Sequence, residues 1–508
     1  MKLHKVATLV LAGSLFLTTG CEKDLLDKTN PNAPSTSQFW KTQDDAVKGV
    51  FACYSGLQQF ACYYRSWHFM AHRSDESYSQ SPFVELANFT RFITPDNNFF
   101  ISSFAWNDYY RTIYRTNQVL NNVPGISMDE TLKKRLLAEA RFVRALSYYD
   151  LVYFFGNVPL IVDEPVVTTR AVQATPAQTE AQIIADLQAA IPDLPVTYGA
   201  ADKGRVPKGG AQALLAKVYM HQRKYTEASA LFTEIINSGQ FALVSNYLDN
   251  FTDTNENNSE SLFEVQFTGA VLEVGQGQDN ASASESHDRP NFFGPPGPTF
   301  ADVQPRRWLL EAYTDSTVSF APGSTTKHLI DPRRDISIIH AGNPDRFYGK
   351  TFGEWNWNPN QQYWRKYLND RTRTNENFTS GINHRVIRYA DVLLMQAEAL
   401  TELNQLAAAL PLVNQVRRRV DLAPLTGSYT QAQLRQLIRS ERAKELAGEG
   451  TRWFDILRWG LMDDQAGIDE LKSRDVDFVN FRLGISKLLP IPQRDIDIDP
   501  GVKQNPGY

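Results

Sequence analysis

The chain is 508 residues long, 42% hydrophobic and 12% aromatic, with a formal charge of -5 at pH 7. That length can bury a large core, on the order of three domains' worth of residues. The slightly acidic balance, without a sustained run of one sign, excludes a nucleic-acid binder, which presents a basic face.

At the N-terminus, Lys2 and Lys5 precede an apolar stretch from Val6 to Leu17, too short for a membrane-spanning helix of about 20 residues. Thr18, Thr19 and Gly20 then lead to Cys21. This resembles a bacterial lipobox, although Thr18 stands where Leu is usual and Leu17 lies one place earlier. Residues 1–20 are therefore expected to form a lipoprotein signal peptide, with Cys21 acylated and anchored in a membrane. Residues 21–37, rich in Asn, Pro, Ser and Thr, read as a flexible tether. Plain secretion with a free Cys21 is the alternative. Cys53 and Cys62 are the other two cysteines. On one helix over 45–64 they would lie about 13 Å apart along the axis and on opposite faces, so buried free thiols are expected rather than a disulfide.

Helical periodicity then dominates. It predicts helices over 44–59, 106–121, 132–155, 179–191, 209–222 and 226–238, and again over 386–403, 406–420, 431–447 and 452–459. Val386, Ala390, Leu393, Leu394, Ala397 and Leu400 form a buried stripe along one of them. Leu215, Ala216, Tyr219, Tyr225, Ala228 and Phe232 fall at the large–small spacing of a tetratricopeptide helix pair, and Ala390, Leu394, Ala397, Leu406 and Ala409 repeat the theme. The expected fold is mainly α: one domain over 38–508, a tetratricopeptide-like helical-repeat scaffold with few short strands. Residues 246–367 are instead rich in Gly, Pro, Asn and aromatics, with a strand expected at 262–267; residues 74–98 are similar. Loop regions of this length inside a compact protein carry function.

Several side-chain groupings bear on chemistry. Glu445 and Glu449 lie one helical turn apart, so their carboxylates could be spaced like a retaining glycosidase pair, but they project from one helix surface instead of flanking a substrate. Ion pairs with Arg442 and Arg452 are the expected role. His68 and His72, with Asp75 and Glu76 a turn later, could reach one metal ion, but no distant ligand closes the site, so a polar helix end or the rim of a binding cleft is favoured over metal. Asp253, Asn255, Asn257, Ser259, Ser261 and Glu264 copy the spacing of a calcium loop, but Asn258 replaces the turn glycine, so a bend leading into a strand is favoured over calcium. No phosphate loop, nucleophile elbow or zinc-protease motif is present, so no enzyme and no cofactor are expected. The loop aromatics are the better lead, because rings stack on the C–H faces of sugars while Asp, Asn and Arg bond the hydroxyls. Trp355 and Trp357 are the leading pair, since extended backbone would put both rings on one face. Phe292 and Phe293 beside Asp288, Arg289 and Asn291 form a second group, and Trp67 and Tyr78 beside Asp75 a third.

Six phrases share a further likeness. They are EARFVRALSYYDLVYFFGNVPL from Glu139, the helix from Gly204 to Met220, RYADVLLMQAEALTE from Arg388, ERAKELAGEGTRWFDILRWG from Glu441, LPIPQRD from Leu489 and QNPGY ending at Tyr508. In this order and spacing the chain resembles the SusD/RagB family of outer-membrane nutrient-binding lipoproteins of the Bacteroidetes. Under that resemblance Glu22, Lys23 and Asp24 look like an export signal to the cell surface. The likeness implies a protein that binds an oligosaccharide or glycan and hands it to a SusC-like TonB-dependent transporter. Peptide cargo on the same scaffold is the alternative, and a surface glycosidase is the more distant one.

Overall fold

The computed structural model describes residues 39–93, 97–163, 172–269, 285–314 and 330–508. The signal peptide, Cys21 and the whole tether lie outside them. The principal helices are α1 (Gln43–Leu57), α2 (Phe100–Asn122), α3 (Glu130–Phe155), α4 (Pro176–Ala190), α5 (Lys208–His221), α6 (Tyr225–Asn237), α7 (Tyr389–Glu402), α8 (Leu406–Arg419), α9 (Gln431–Glu445) and α10 (Thr451–Arg458). Threonine side chains cap three of them. Thr42, Thr175 and Thr430 each accept from the backbone three residues on, and that residue's side chain returns the bond. Each such cap contributes about 1 kcal/mol. No helix among the described residues is long and apolar enough to cross a membrane.

From α1 to α8 each of these helices packs against the next, and α9 closes on α7 and α8. The centre of the array is α3, buried without interruption from Ala138 to Ala140 and from Phe142 to Phe155 because helices cover it on several sides. The pairs α5–α6 and α7–α8 are built alike. Each turns through one residue in the left-handed region, Arg223 (φ 56) in the first and Asn404 (φ 60) in the second. The backbone N–H after it reaches back five residues, from Lys224 to Tyr219 at 2.9 Å and from Gln405 to Leu400 at 2.8 Å. Ala216 and Ala228 are fully buried, as are Ala397 and Ala409, so small side chains let the paired helices approach.

The loop-rich excursion leaves and returns through one antiparallel strand pair. Ser261–Val265 runs against His384–Arg388, with His384 opposite Val265 and Arg388 opposite Ser261. The excursion therefore closes later than 367, and α7 starts at Tyr389. Val386 lies on the strand and not on the helical stripe expected for it. Strand conformation prevails there because Arg385 and Arg388 reach Glu264 and Glu260 on or beside the partner strand.

One helix boundary differs from expectation and one agrees with it. A continuous helix over 45–64 does not form, because α1 stops at Leu57 and Gln59 is extended before a five-residue π-type turn over Phe60–Tyr64. Cys53 and Cys62 are both buried and free. At the other end, Gly448 (φ 70) and Gly450 (φ 80) separate α9 from α10, with Trp364 and Trp67 occupying the space where a Cβ would stand.

The Glu445 and Glu449 carboxylates are buried in an ion cluster, but their partners are not Arg442 and Arg452. Glu445 binds Arg333 at 2.8 Å, Arg388 at 2.7 Å and Arg419, while Glu449 binds Arg388 at 2.7 Å and Lys366 at 2.8 Å. Burial raises the pKa of Glu445, but Arg419, Arg388 and Arg333 hold it well below the usual carboxylate range. Arg442 instead joins Asp391 to Asp455, and Arg452 holds Asp75. The cluster fastens the excursion, through Arg333 and Lys366, to α8 and α9.

Candidate ligand-binding surface

The structure places most of the expected contact residues inside the protein. Trp67 is buried and its indole N–H donates to Asp150 at 3.2 Å. Asp75 is enclosed by Arg452 and Arg474, each at 2.6 Å. Phe293 stacks on Phe69, and Arg289 lies between the Phe293 and Tyr367 rings with its guanidinium bonded to the Gly448 carbonyl. Trp355 and Trp357 do stack, 5.5 Å apart and 3° from parallel. They do so across a tight turn, with Asn356 at φ 55, and not along an extended strand. Trp357 is buried among Phe347, Phe352 and Tyr363, while the half-buried Trp355 carries the Lys350 ammonium 4.4 Å from its ring centre. Tyr78 is half-buried, covered by Arg306 at 4.4 Å and bonded to Gln304 at 2.9 Å. These rings and charges serve the protein interior, so a ligand platform at them is not what the geometry offers.

Phe292 is different. It is half-buried and belongs to a run of accessible rings. Its centroid is 5.6 Å from that of Phe300, which is 54% exposed, and Phe300 is 5.8 Å from Phe378. On its other side the Arg65 guanidinium lies 4.6 Å from Phe292 and 4.5 Å from Phe60, a sandwich of cation between rings. Phe60 continues to Tyr64 at 5.9 Å and Phe104 at 6.1 Å. Two of the buried residues expected at the ligand support this run from behind. Asp288 pairs with Arg65. Asn291 accepts the Phe378 N–H at 3.1 Å through its side chain and the Phe300 N–H at 2.7 Å through its carbonyl. Phe378 itself holds φ 61, a strained conformation for a bulky residue and one that clusters at functional sites.

Beside Phe60 and Phe104 opens a cleft of about 530 Å³, closed on its far side by Arg494, Asp495 and Ile498 and floored by Asn107, Asp108 and Arg111. Asp108 accepts the Ala61 N–H at 3.0 Å and thereby anchors the π-type turn that presents Phe60; such turns recur at functional sites. Burial pushes its carboxyl above the ordinary range, against the pull of the Ala61 N–H and Arg111. Burial likewise lowers Arg65, to about 10. Rings at the edge with amide, carboxylate and guanidinium groups below are a set suited to a polyhydroxylated ligand. Phe60, Tyr64 and Phe104 were not singled out because they lie just beyond the predicted helices 44–59 and 106–121, outside the loop-rich stretches; the one local signal was the FACYY run after α1.

Among the described residues, no group of His, Cys, Asp and Glu is placed to hold a metal ion. His68 bonds the Tyr63 carbonyl at 2.9 Å and His72 the His68 carbonyl at 2.7 Å, and both are buried and not on a cleft rim. Burial drives both below the usual imidazole range, His72 to about 3, so both are uncharged. In the calcium-like loop, Glu264 is already committed to the Asn257 N–H, Asn383 and Arg385.

A profile of the SusD family matches residues 259–508, and a second profile, described as starch-binding and associating with the outer membrane, matches residues 25–220. The chain belongs to the SusD/RagB family. It is 28% identical to a SusD-like protein of Formosa agariphila, over 98% of both chains. Among solved structures, a SusD superfamily protein from Bacteroides vulgatus superposes with a TM-score of 0.80 at 25% identity, over 92% of this chain and 100% of that one. A laminarin-binding SusD-like protein does so with a TM-score of 0.75 at 28% identity and the same coverage. The tetratricopeptide-like helical scaffold expected from the sequence is thus the fold of this SusD-family chain.

Proposed function

We propose that this protein binds an oligosaccharide along the Phe60–Arg65–Phe292–Phe300 surface and passes it to a TonB-dependent transporter in the outer membrane. The observation that carries the reading is the accessible ring run bordering a cleft of amide and charged groups. Glycan binding agrees with the laminarin-binding and starch-binding relatives. The family resemblance supports the transporter as partner, and the N-terminal sequence supports anchorage at Cys21. Glu445 takes no catalytic part in this reading, since three guanidiniums enclose it away from solvent. The platform is shallow, and a captured molecule has to leave again, so affinity is modest.

Affinity electrophoresis through gels containing laminarin, starch and other polysaccharides tests the reading. The wild type is retarded by at least one. Phe60→Ala combined with Phe292→Ala removes two ring faces, each contributing on the order of 1 kcal/mol, and weakens retention by at least tenfold. Undiminished retention would remove this surface from the site. Binding of peptide mixtures but of no glycan would reassign the cargo.

A further inference from the structure

A second cavity, of about 480 Å³, opens between α1, the 201–205 loop and the strand Ser261–Val265. A smaller one of about 180 Å³ shares Lys203, Gly204, Arg205, Phe263 and Glu264 with it, so the two form one groove. Where they meet, Gly204 holds φ 99, and a Cβ there would strike the Gln266 side chain at 2.8 Å. Only glycine lets the chain pass so close and leave the groove continuous.

The charges in its walls are mostly spent on one another. Arg205 binds Glu139 at 2.7 Å and Asp202 at 2.8 Å. Glu264 faces Arg385 at 3.3 Å and accepts from Asn383 at 2.9 Å. Besides Lys203 and Glu285, what remains for a ligand is aromatic and neutral. Phe51 is 53% exposed, and the Arg205 guanidinium, 4.5 Å from its ring centre, holds it in place. Tyr198 and Phe241 line the narrower end, and the buried Tyr198 hydroxyl has no protein partner. Gln58 donates its amide N–H to the Gln266 carbonyl at 2.6 Å, and its amide oxygen accepts from no protein group among the described residues.

We propose that this groove is a second carbohydrate site, taking a segment of neutral oligosaccharide. The proposal rests on the reading of the protein as a glycan binder and adds a site on the opposite side of the 57–60 turn from Phe60. Uncharged sugars fit because the lining charges without an ion-pair partner among the described residues are Lys203 and Glu285, one of each sign. Two sites on one chain also raise the retention of a long polymer beyond that of either site alone.

Titration calorimetry with a hexasaccharide cut from the retarding glycan decides the matter. The wild type binds two molecules. Phe51→Ala, at an exposed position, binds one with an unchanged thermal transition; Phe60→Ala with Phe292→Ala also binds one, and the triple variant binds none. On the intact polysaccharide, Phe51→Ala weakens retention by at least tenfold. One molecule per wild-type chain, unaffected by Phe51→Ala but lost in Phe60→Ala with Phe292→Ala, overturns the second site and leaves the proposed function standing. A panel in which no glycan binds the wild type overturns both.

Discussion

Glu76 shows how a single residue can be polar in sequence and internal in structure. Burial lifts its carboxyl from 4.5 to about 8, although Arg452, Lys366 and the Gly448 N–H pull the other way and Asp75 adds to the rise. A carboxyl whose folded pKa is raised contributes stability that is fully present below about 4.5 and lost as pH climbs through about 8. The melting temperature should therefore fall between pH 5 and pH 9, and fall less in Glu76→Gln, whose amide cannot ionise. Wild type and variant should differ little at pH 5, with the variant the more stable at pH 9. Parallel curves in thermal scans across that range would refute the assignment. Residues of this kind also explain why the expected contacts were misplaced. Asp75 is neutralised by Arg452, 377 positions away, and no spacing rule exposes such a pairing. Trp67 and Trp357 stand among polar neighbours in sequence, yet their N–H groups find internal acceptors, Asp150 and the Pro296 carbonyl. Composition alone cannot separate that arrangement from an exposed platform.

At the scale of elements, the helices follow from local chemistry, and their ends do not always. Alternating large and small residues located α5, α6, α7 and α8, because close approach of paired helices is written into one short segment. The strand His384–Arg388 was absorbed into a helix because its partner lies about 120 residues upstream. The stop between α9 and α10 was legible, since glycines mark it. Gly450 combines a φ of 80° with a Cβ position 2.6 Å from the Trp67 ring. Gly450→Ala should cost about 2 kcal/mol or more in chemical denaturation, from backbone strain and overpacking together. Gly125→Ala, at an exposed position with no atom near its Cβ, should change stability by less than about 1 kcal/mol. Equal losses in the two variants would show that the packing against Trp67 is not what Gly450 is for.

Across the whole molecule, sequence phrases spread from Glu139 to Tyr508 identified the family. Those phrases are the helices, the ion cluster and the tied-down C-terminus, where Asn505 bonds the Phe155 and Leu489 carbonyls, both at 2.7 Å. The proposed ligand surface was far less legible, because it is assembled from the π-type turn after α1, α2, the excursion and the C-terminal segment, each supplying only a few groups. The proposed membrane attachment is tested on the complete chain. Cys21→Ala should move the protein from the membrane fraction to the soluble fraction after cell lysis, read by immunoblot. Retention in the membrane of cells lacking the transporter would defeat the lipid-anchor assignment.

The pairing of Ser261–Val265 with His384–Arg388 has a consequence for how such proteins diversify. Everything between Val265 and His384 enters and leaves through one clamp, fixed to the scaffold by buried charges. Chain inside that clamp can lengthen at small entropic cost, since doubling a loop costs only about 0.6 kcal/mol, while Arg333, Lys366 and Trp364 keep it fixed to the scaffold. The excursion is in effect a cassette with fixed anchors. Change between the anchors remodels the Phe292–Phe300 end of the proposed surface and leaves the helices, Phe60 and Phe104 as they are.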